Sequence, residues 1–284
     1  MINVMGVQLS MHPVFVLLMM LSVATGQFIE LITLFVIVFI HELGHASAAA
    51  LLGIQVRSIQ MLPFGGVAVI EDRGDLTAAK EILISLAGPL QNVIMMGAAV
   101  GMLSLHWWDG EFLIYFIQAN AIIALFNLLP ILPLDGGKIA QALISLFLPY
   151  YKTLVITYRL SIVASVVMII ISLSPFLMKE SGKIELNILL MGCFLLYSGI
   201  EDYRNIPYRF VRFLVNRDKL FAYHLSTASL AQPIISIPTK PLDTILRLFK
   251  REKYHMIYVM NAKGKIIGVL PEQRIIESYF EKKG

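Results

Sequence analysis

The chain has 284 residues, of which 57% are hydrophobic and only 15% charged, with a mean hydropathy of +0.75 and one cysteine, Cys193. A soluble domain carries roughly 25% charged residues, whereas several apolar runs here reach the ~20 residues that cross a ~30 Å hydrocarbon core as a helix; a soluble fold and an internal disulfide scaffold are both excluded. The net charge of +4 hides an asymmetry: residues 203–284 hold 15 Lys and Arg against 6 Asp and Glu, and residues 1–202 hold 8 against 13.

Six spans are expected, at residues 13–25, 28–52, 82–105, 112–133, 153–177 and 186–201. The first 25 residues end in small side chains, as a signal peptide does, but contain no Lys or Arg. A cleaved signal needs a positive start, so a retained first span is expected. Outside the spans, basic residues gather at Arg57, Arg73 and Lys80, then at Lys138 and Lys152, then from Arg204 to Arg217, while the intervening segments are acidic or balanced. Positive loops lie inside, which puts both termini in the cytoplasm and agrees with an even number of spans.

Between spans two and three lies IQVRSIQMLPFGGVAVIED, in which Pro63, Phe64, Gly65 and Gly66 give a turn signal between β-prone flanks. A hairpin is expected. It is too apolar for a solvated loop, so it should dip into the protein at membrane depth, where its backbone must be shielded from lipid. After span six, residues 203–227 read as a basic, aromatic connector, and residues 228–284 as strand, helix, strand, turn, strand and helix. So short an α+β unit buries little surface alone and calls for a partner copy or the membrane domain. The basic tail suits anionic lipid headgroups. No nucleic-acid partner is expected, because no aromatic-interleaved basic stripe occurs.

The chemistry lies inside the apolar spans, where an ionisable group costs about 2.5–3.5 kcal/mol on insertion scales and needs a reason. Span two contains His41-Glu42-Leu43-Gly44-His45. Histidines four apart share one helix face, so both imidazoles reach one tetrahedral metal, and Glu42 reaches an attacking water without being a ligand. The nitrogen and oxygen donors suit Zn²⁺ and leave cobalt and iron open. In a soluble helix the same five residues would merely face water, but the flanks here supply none.

A third ligand is expected from NLLPILPLDGG, where Asp135 ends span four after Pro130 and Pro133 break the helix. Spans two and four run in the same direction, so Asp135 and the histidines share a depth on the cytoplasmic side. Asn127, a buried amide eight residues earlier, can hydrogen-bond a substrate backbone or a developing oxyanion, or else glue helices together. In span three, Gly88-Pro89 removes an amide donor and frees the carbonyl of Ser85, with Asn92 one turn further on. The expected fold is therefore a polytopic α-helical membrane protein with about six transmembrane helices and a membrane-associated β-hairpin, followed by a small cytoplasmic α+β domain.

Residues 1 to about 202 resemble the site-2 protease family of intramembrane zinc metalloproteases, through FIHELGHASAA, PFGG, AGPLQN and NLLPILPLDGG in that order. The resemblance implies one zinc per chain on His41, His45 and Asp135, with Glu42 catalytic and Asn127 positioning the substrate. The tail resembles a single CBS domain, a module that often binds adenine nucleotides and usually pairs; one copy implies pairing between chains. Its ribose-binding pattern, Gly-hydrophobic-hydrophobic-Thr-x-x-Asp, is met here by Gly268-Val269-Leu270-Pro271-Glu272-Gln273-Arg274, without either polar group. A six-span protease with one such tail is similar to the sporulation members of the family in endospore-forming bacteria. That likeness implies cleavage of a membrane-associated sigma-factor precursor near its prosequence, restraint by partner membrane proteins, and a forespore-surrounding membrane. The alternative reading is a CBS-regulated ion transporter or channel.

Overall fold

The computed structural model describes residues 2–4, 7–11, 26, 28–62, 65–70, 76–177, 185–217 and 230–281; for residues 2–11, 56–70 and 176–177 the description is of the backbone. The chain divides into two compact units, residues 1–72 with 79–139, and residues 73–78 with 140–284.

In lipid, every backbone amide must find its partner within the chain, and an uninterrupted apolar run does so as a helix. The first unit contains α1 (Phe28–Leu51) and most of α2 (Ala78–Ser104), then α3 (Gly110–Asn127) and the start of α4 (Asp135–Phe147). Helix α1 closes with two bonds, Gly53 N–H to the Ala50 carbonyl and Ile54 N–H to that of Ala49. Gly44 of α1 lies against α2, where a Cβ would meet the Ala87 carbonyl at 2.6 Å. Pro89 sits inside α2, which continues through it. Asp109 caps α3 by accepting from Glu111 N–H at 3.2 Å.

Four strands accompany these helices: β1 (Ile2–Val4), β2 (Val7–Met11), β3 (Val56–Leu62) and β4 (Gly65–Ile70), in that spatial order. The expected hairpin is β3–β4, antiparallel, with Leu62 opposite Gly65 and a bulge at Val56/Ser58. Gly65 and Gly66 are thus strand residues rather than turn residues, and Pro63-Phe64 lie outside the described residues. The β1–β2 hairpin was not expected; β2 pairs parallel with β3, Gln8 opposite Ser58 to Met11 opposite Met61. The sheet abuts α1 through β3 and β4.

The second unit contains α5 (Tyr150–Leu177), α6 (Leu186–Arg204) and the amphipathic α7 (Ile206–Val215). Gly192 and Gly199 are buried and bring α6 close to α5, a Cβ at Gly192 meeting Ile169 Cγ1 at 2.9 Å; small residues let helices approach in this way. Among the described residues, α1, α2, α3 and α5 are long and apolar enough to cross a membrane. They leave large aliphatic side chains such as Leu90, Val93, Ile170 and Ile171 exposed, which suits hydrocarbon rather than water. The expected span at 13–25 lies outside the described residues, and the expected span at 186–201 falls on the helix α6, which is not one of these four. Span four ends early: α3 stops at Asn127, and Asp135 opens α4 rather than closing a span. Its exposed prolines carry the chain through a loop that buries Ile131 and Leu132, 4% and 5% exposed. Gly136 and Gly137 let this loop fold back, since a Cβ on Gly137 would meet the Ile131 carbonyl carbon at 2.5 Å.

The tail follows the expected order: β5 (Gln232–Ser236), α8 (Leu242–Leu246), β6 (His255–Met260), β7 (Ile266–Pro271) and α9 (Glu272–Glu281), with β5 parallel and β7 antiparallel to β6. Its core joins Phe210 and Leu214 of α7 to Ile234, Ile245, Leu246, Phe249, Ile257, Ile275 and Ile276. The helix expected over PLDTILRLFKREK stops after five residues. The chain then turns so that Phe249 is fully buried and the Lys250 and Lys253 carbonyls accept from Arg217, carbonyls that a longer helix would have consumed. The neighbouring Glu252 accepts from the N–H of Ala78, and Arg251 donates to the Leu76 carbonyl.

Arg217 is 2% exposed and forms a bidentate pair with the fully buried Glu272, both oxygens at 2.8 Å. His255 Nε2 accepts from Lys250 N–H, so its proton sits on Nδ1 and is donated to Glu272 at 3.1 Å. Burial raises the Glu272 carboxyl, but the hydrogen bonds from His255 and Arg217 outweigh it and hold the group below its usual range. Burial holds His255 below the usual imidazole range, against the pull of Glu272 and with the help of the Arg217 charge. Both shifts make the unfolded chain bind protons first, so stability falls as pH drops below about 6.5 and again below about 4.3. Hydrogen exchange of the β6 amides in the whole chain, corrected for intrinsic rates, should report easier opening at about pH 5.5 than at about 7.5. Equal opening free energies would show that the cluster does not titrate as derived.

Candidate metal centre

The site is built where α1, α2 and α4 converge, in the first unit. His41, Glu42 and His45 are 3%, 7% and 5% exposed, and Asp135 is 4% exposed. The two histidines lie one turn apart on α1 with rings edge to face, centroids 4.8 Å apart. Asp135 reaches them from the first residue of α4. Its Oδ2 is 3.1 Å from His41 Nε2 and 3.0 Å from His45 Nε2, and the two Nε2 atoms are 3.2 Å apart. A carboxylate oxygen of Glu42 lies within 4.8 Å of a ring nitrogen of each histidine. Lys138, one turn along α4, donates to the other oxygen of Asp135 at 3.1 Å.

The rings are fixed from behind. His41 Nδ1 donates to Asn92 Oδ1 at 2.5 Å, and His45 Nδ1 donates to the Ile84 carbonyl at 2.7 Å. A neutral imidazole that donates from Nδ1 presents a lone pair at Nε2. Two such lone pairs and a carboxylate oxygen then face one another in a buried site, an arrangement that repels itself without a cation. Ligands on a tetrahedral zinc at ~2.0–2.1 Å stand roughly 3.3 Å apart, close to the 3.0–3.2 Å observed. The residues therefore fit a metal ion. Gly88 makes the approach possible: a Cβ there would meet His41 Nε2 at 2.6 Å and His45 Cε1 at 2.5 Å.

Asn127 is not drawn into this cluster. It is half-buried at the end of α3, and its amide donates to the Ile123 carbonyl of its own helix at 3.0 Å. The amides that do belong to the site are Asn92 and Asn120, both fully buried, with Asn92 Nδ2 donating to Asn120 Oδ1 at 3.0 Å. Asn92 stands in the AGPLQN motif, but nothing near Asn120 in the sequence marks it.

The profile of peptidase family M50 matches residues 29–109 and 104–174. Stage IV sporulation protein FB of Bacillus subtilis is 30% identical over 97% of this chain and 92% of its own length. The chain belongs to peptidase family M50, the site-2 protease family. A zinc metalloprotease of Methanocaldococcus jannaschii is 26% identical over 99% of this chain and 81% of its own. The solved site-2 protease from the same archaeon superposes with a TM-score of 0.56 at 25% identity, covering 72% of this chain and 94% of that one. As an M50 protein, the chain is an intramembrane zinc metalloendopeptidase of the site-2 type, and the HELGH segment of α1 lies within the matched region.

Proposed function

We propose that the protein cleaves a membrane-associated proprotein near the cytoplasmic face, using one zinc ion held by His41, His45 and Asp135. The observation that carries this is the convergence of His41 Nε2, His45 Nε2 and Asp135 Oδ2 at 3.0–3.2 Å from one another inside an apolar helix cluster. A zinc ion bound there supplies Lewis acidity, lowering the pKa of a water and polarising the scissile carbonyl. Glu42 lies beside the donors without belonging to the triangle, and it takes the proton of the attacking water and passes it to the leaving amine. Asn92 and Ile84 hold the imidazoles in the ligating tautomer. Asn127 spends one amide hydrogen on Ile123; a primary amide has a second, with which it orients the substrate backbone.

The substrate enters as an extended strand along β4, which is an edge of the sheet among the described residues and adjoins α1; edge pairing binds through the backbone. The Pro63-Phe64-Gly65-Gly66 segment is the candidate gate. We assign six spans with both termini cytoplasmic, a protease domain at 1–202, a connector at 203–227 and a CBS-like domain at 228–284. By resemblance the substrate is a sigma-factor precursor, and the enzyme sits in a forespore-surrounding membrane, restrained by inhibitory membrane proteins. The exposed Ile235 and Val269 of the tail's sheet and the adjoining Ile237 support pairing of two CBS-like domains. No nucleotide is assigned, because the ribose-binding pattern lacks its polar groups and Glu272 is engaged by Arg217.

The test is cleavage, in liposomes, of a membrane-tethered substrate containing a sigma-factor prosequence. Activity should vanish with a chelator and return with about one zinc per chain, and deletion of Phe64 to Gly66 should abolish it with zinc retained. Cleavage indifferent to chelation would end the zinc reading, and cleavage by the deletion variant would remove the hairpin from the mechanism. Ion flux across the liposomes without cleavage would favour the transporter.

A further inference from the structure

His41 is held by a chain of amides rather than by a single partner. Its Nδ1–H donates to Asn92 Oδ1, Asn92 Nδ2 donates to Asn120 Oδ1 at 3.0 Å, and Asn120 Nδ2 donates to the Phe116 carbonyl at 2.9 Å. The chain runs from α1 through α2 to α3, and both asparagines are 0% exposed. His45 has no such chain, since the Ile84 carbonyl takes its proton directly.

The difference matters because a primary amide is nearly symmetric in shape but not in chemistry. Rotated by half a turn, Asn92 would present an NH₂ group to His41. The imidazole would then have to accept at Nδ1, carry its proton on Nε2, and lose the lone pair that faces Asp135 and His45. A backbone carbonyl cannot rotate in this way; it only accepts. The Phe116 carbonyl therefore orients the amide of Asn120, Asn120 Oδ1 orients Asn92, and Asn92 Oδ1 holds the proton of His41 on Nδ1. Simple gluing of helices would need one interhelical hydrogen bond. Here three bonds run in series, two between helices and the last within α3, all directed one way from a ring that faces the site, and that common direction does more.

We infer that Asn120 is a positioning residue that sets the tautomer of His41 through Asn92. The inference rests on His41 being a metal ligand, as proposed above. Asn120 bonds Asn92 and the Phe116 carbonyl rather than any donor of the triangle, so its effect on the metal runs through Asn92.

The experiment uses the full chain in lipid nanodiscs, with zinc affinity measured by chelator competition. Asn120→Leu should bind zinc about 10–100-fold more weakly, the usual penalty for losing an outer-shell partner. Asn120→Asp should restore affinity to within a few-fold, because a protonated carboxyl accepts from Asn92 and donates to the Phe116 carbonyl as the amide does. ¹⁵N-histidine NMR of the metal-free wild type should place the His41 proton on Nδ1, and in Asn120→Leu a share of it should move to Nε2. A melting point that falls while zinc affinity holds, an Asp variant no better than Leu, or a wild-type proton on Nε2 would each overturn the relay. His41→Ala separates this from the larger claim: if that variant keeps zinc at wild-type affinity, the ligand assignment fails; if it loses zinc while Asn120→Leu does not, only the relay fails.

Discussion

Replacing Glu42 by glutamine should leave the zinc content of the purified protein unchanged and reduce cleavage of a membrane-tethered substrate by about 10²–10⁴-fold, the range that a positioned general base supplies. Glutamine keeps the length and shape of the side chain, so burial at 7% exposed is undisturbed, but an amide nitrogen and carbonyl do not collect a proton from water at neutral pH. Zinc stays because the atoms that converge are the two Nε2 atoms and Asp135 Oδ2. Metal per chain and initial rate, measured on the same sample, separate the two roles. A glutamine variant that cleaves within a few-fold of wild type would take Glu42 out of the chemistry, and one that has lost its zinc would make it a ligand.

A methyl group at residue 88 should be nearly as damaging, by a different route. Gly88 lies against both imidazoles, and an alanine Cβ would come within 2.6 Å of His41 Nε2 and 2.5 Å of His45 Cε1, well inside van der Waals contact. The atoms in the way are ligand nitrogens on a packed helix, and they cannot yield without opening the donor triangle. Gly88→Ala is therefore expected to lose at least about 10²-fold in zinc affinity, as large a loss as outer-shell changes produce. Gly97→Ala on the same helix is the control, since a Cβ there meets nothing within 4 Å, and alanine favours a helix by roughly 0.5–1 kcal/mol. Equal zinc content in the two variants would mean that α2 does not approach the histidines as described.

The donors were legible because they are conspicuous: two histidines and an aspartate in apolar sequence demand a partner, and four-residue spacing supplies the geometry. The amides were harder. Asn127 looks like a site residue and bonds its own helix, while Asn120, one heptad earlier on the same helix, joins the network through Asn92, 28 residues away. An isolated amide in an apolar run carries no periodicity that names its partner. The same limit hid Arg217, which reads as one more basic residue of a connector until Glu272, 55 residues later, is placed against it. Strands β1 and β2 were missed because what makes them strands is distant, a parallel register with residues 58–61. The shortened α8 was missed because LDTILRLFKREK favours a helix throughout, and only the demand of Arg217 for backbone carbonyls turns the chain.

Strand β4 has one further consequence. Natural sheets guard their edges with lysine, proline or a bulge, yet Gly65 to Ile70 reads GGVAVI, without charge or proline, and the hairpin's bulge lies at Val56/Ser58 on the opposite strand. Among the described residues no strand pairs with the outer side of β4, and an open backbone row is indiscriminate. It pairs with any extended chain that reaches it, whatever the side chains. If, as proposed, the substrate is taken along this row, its sequence is not read there, and selectivity has to come from admission: which polypeptides are brought to that depth, unwound, and allowed past the proposed gate.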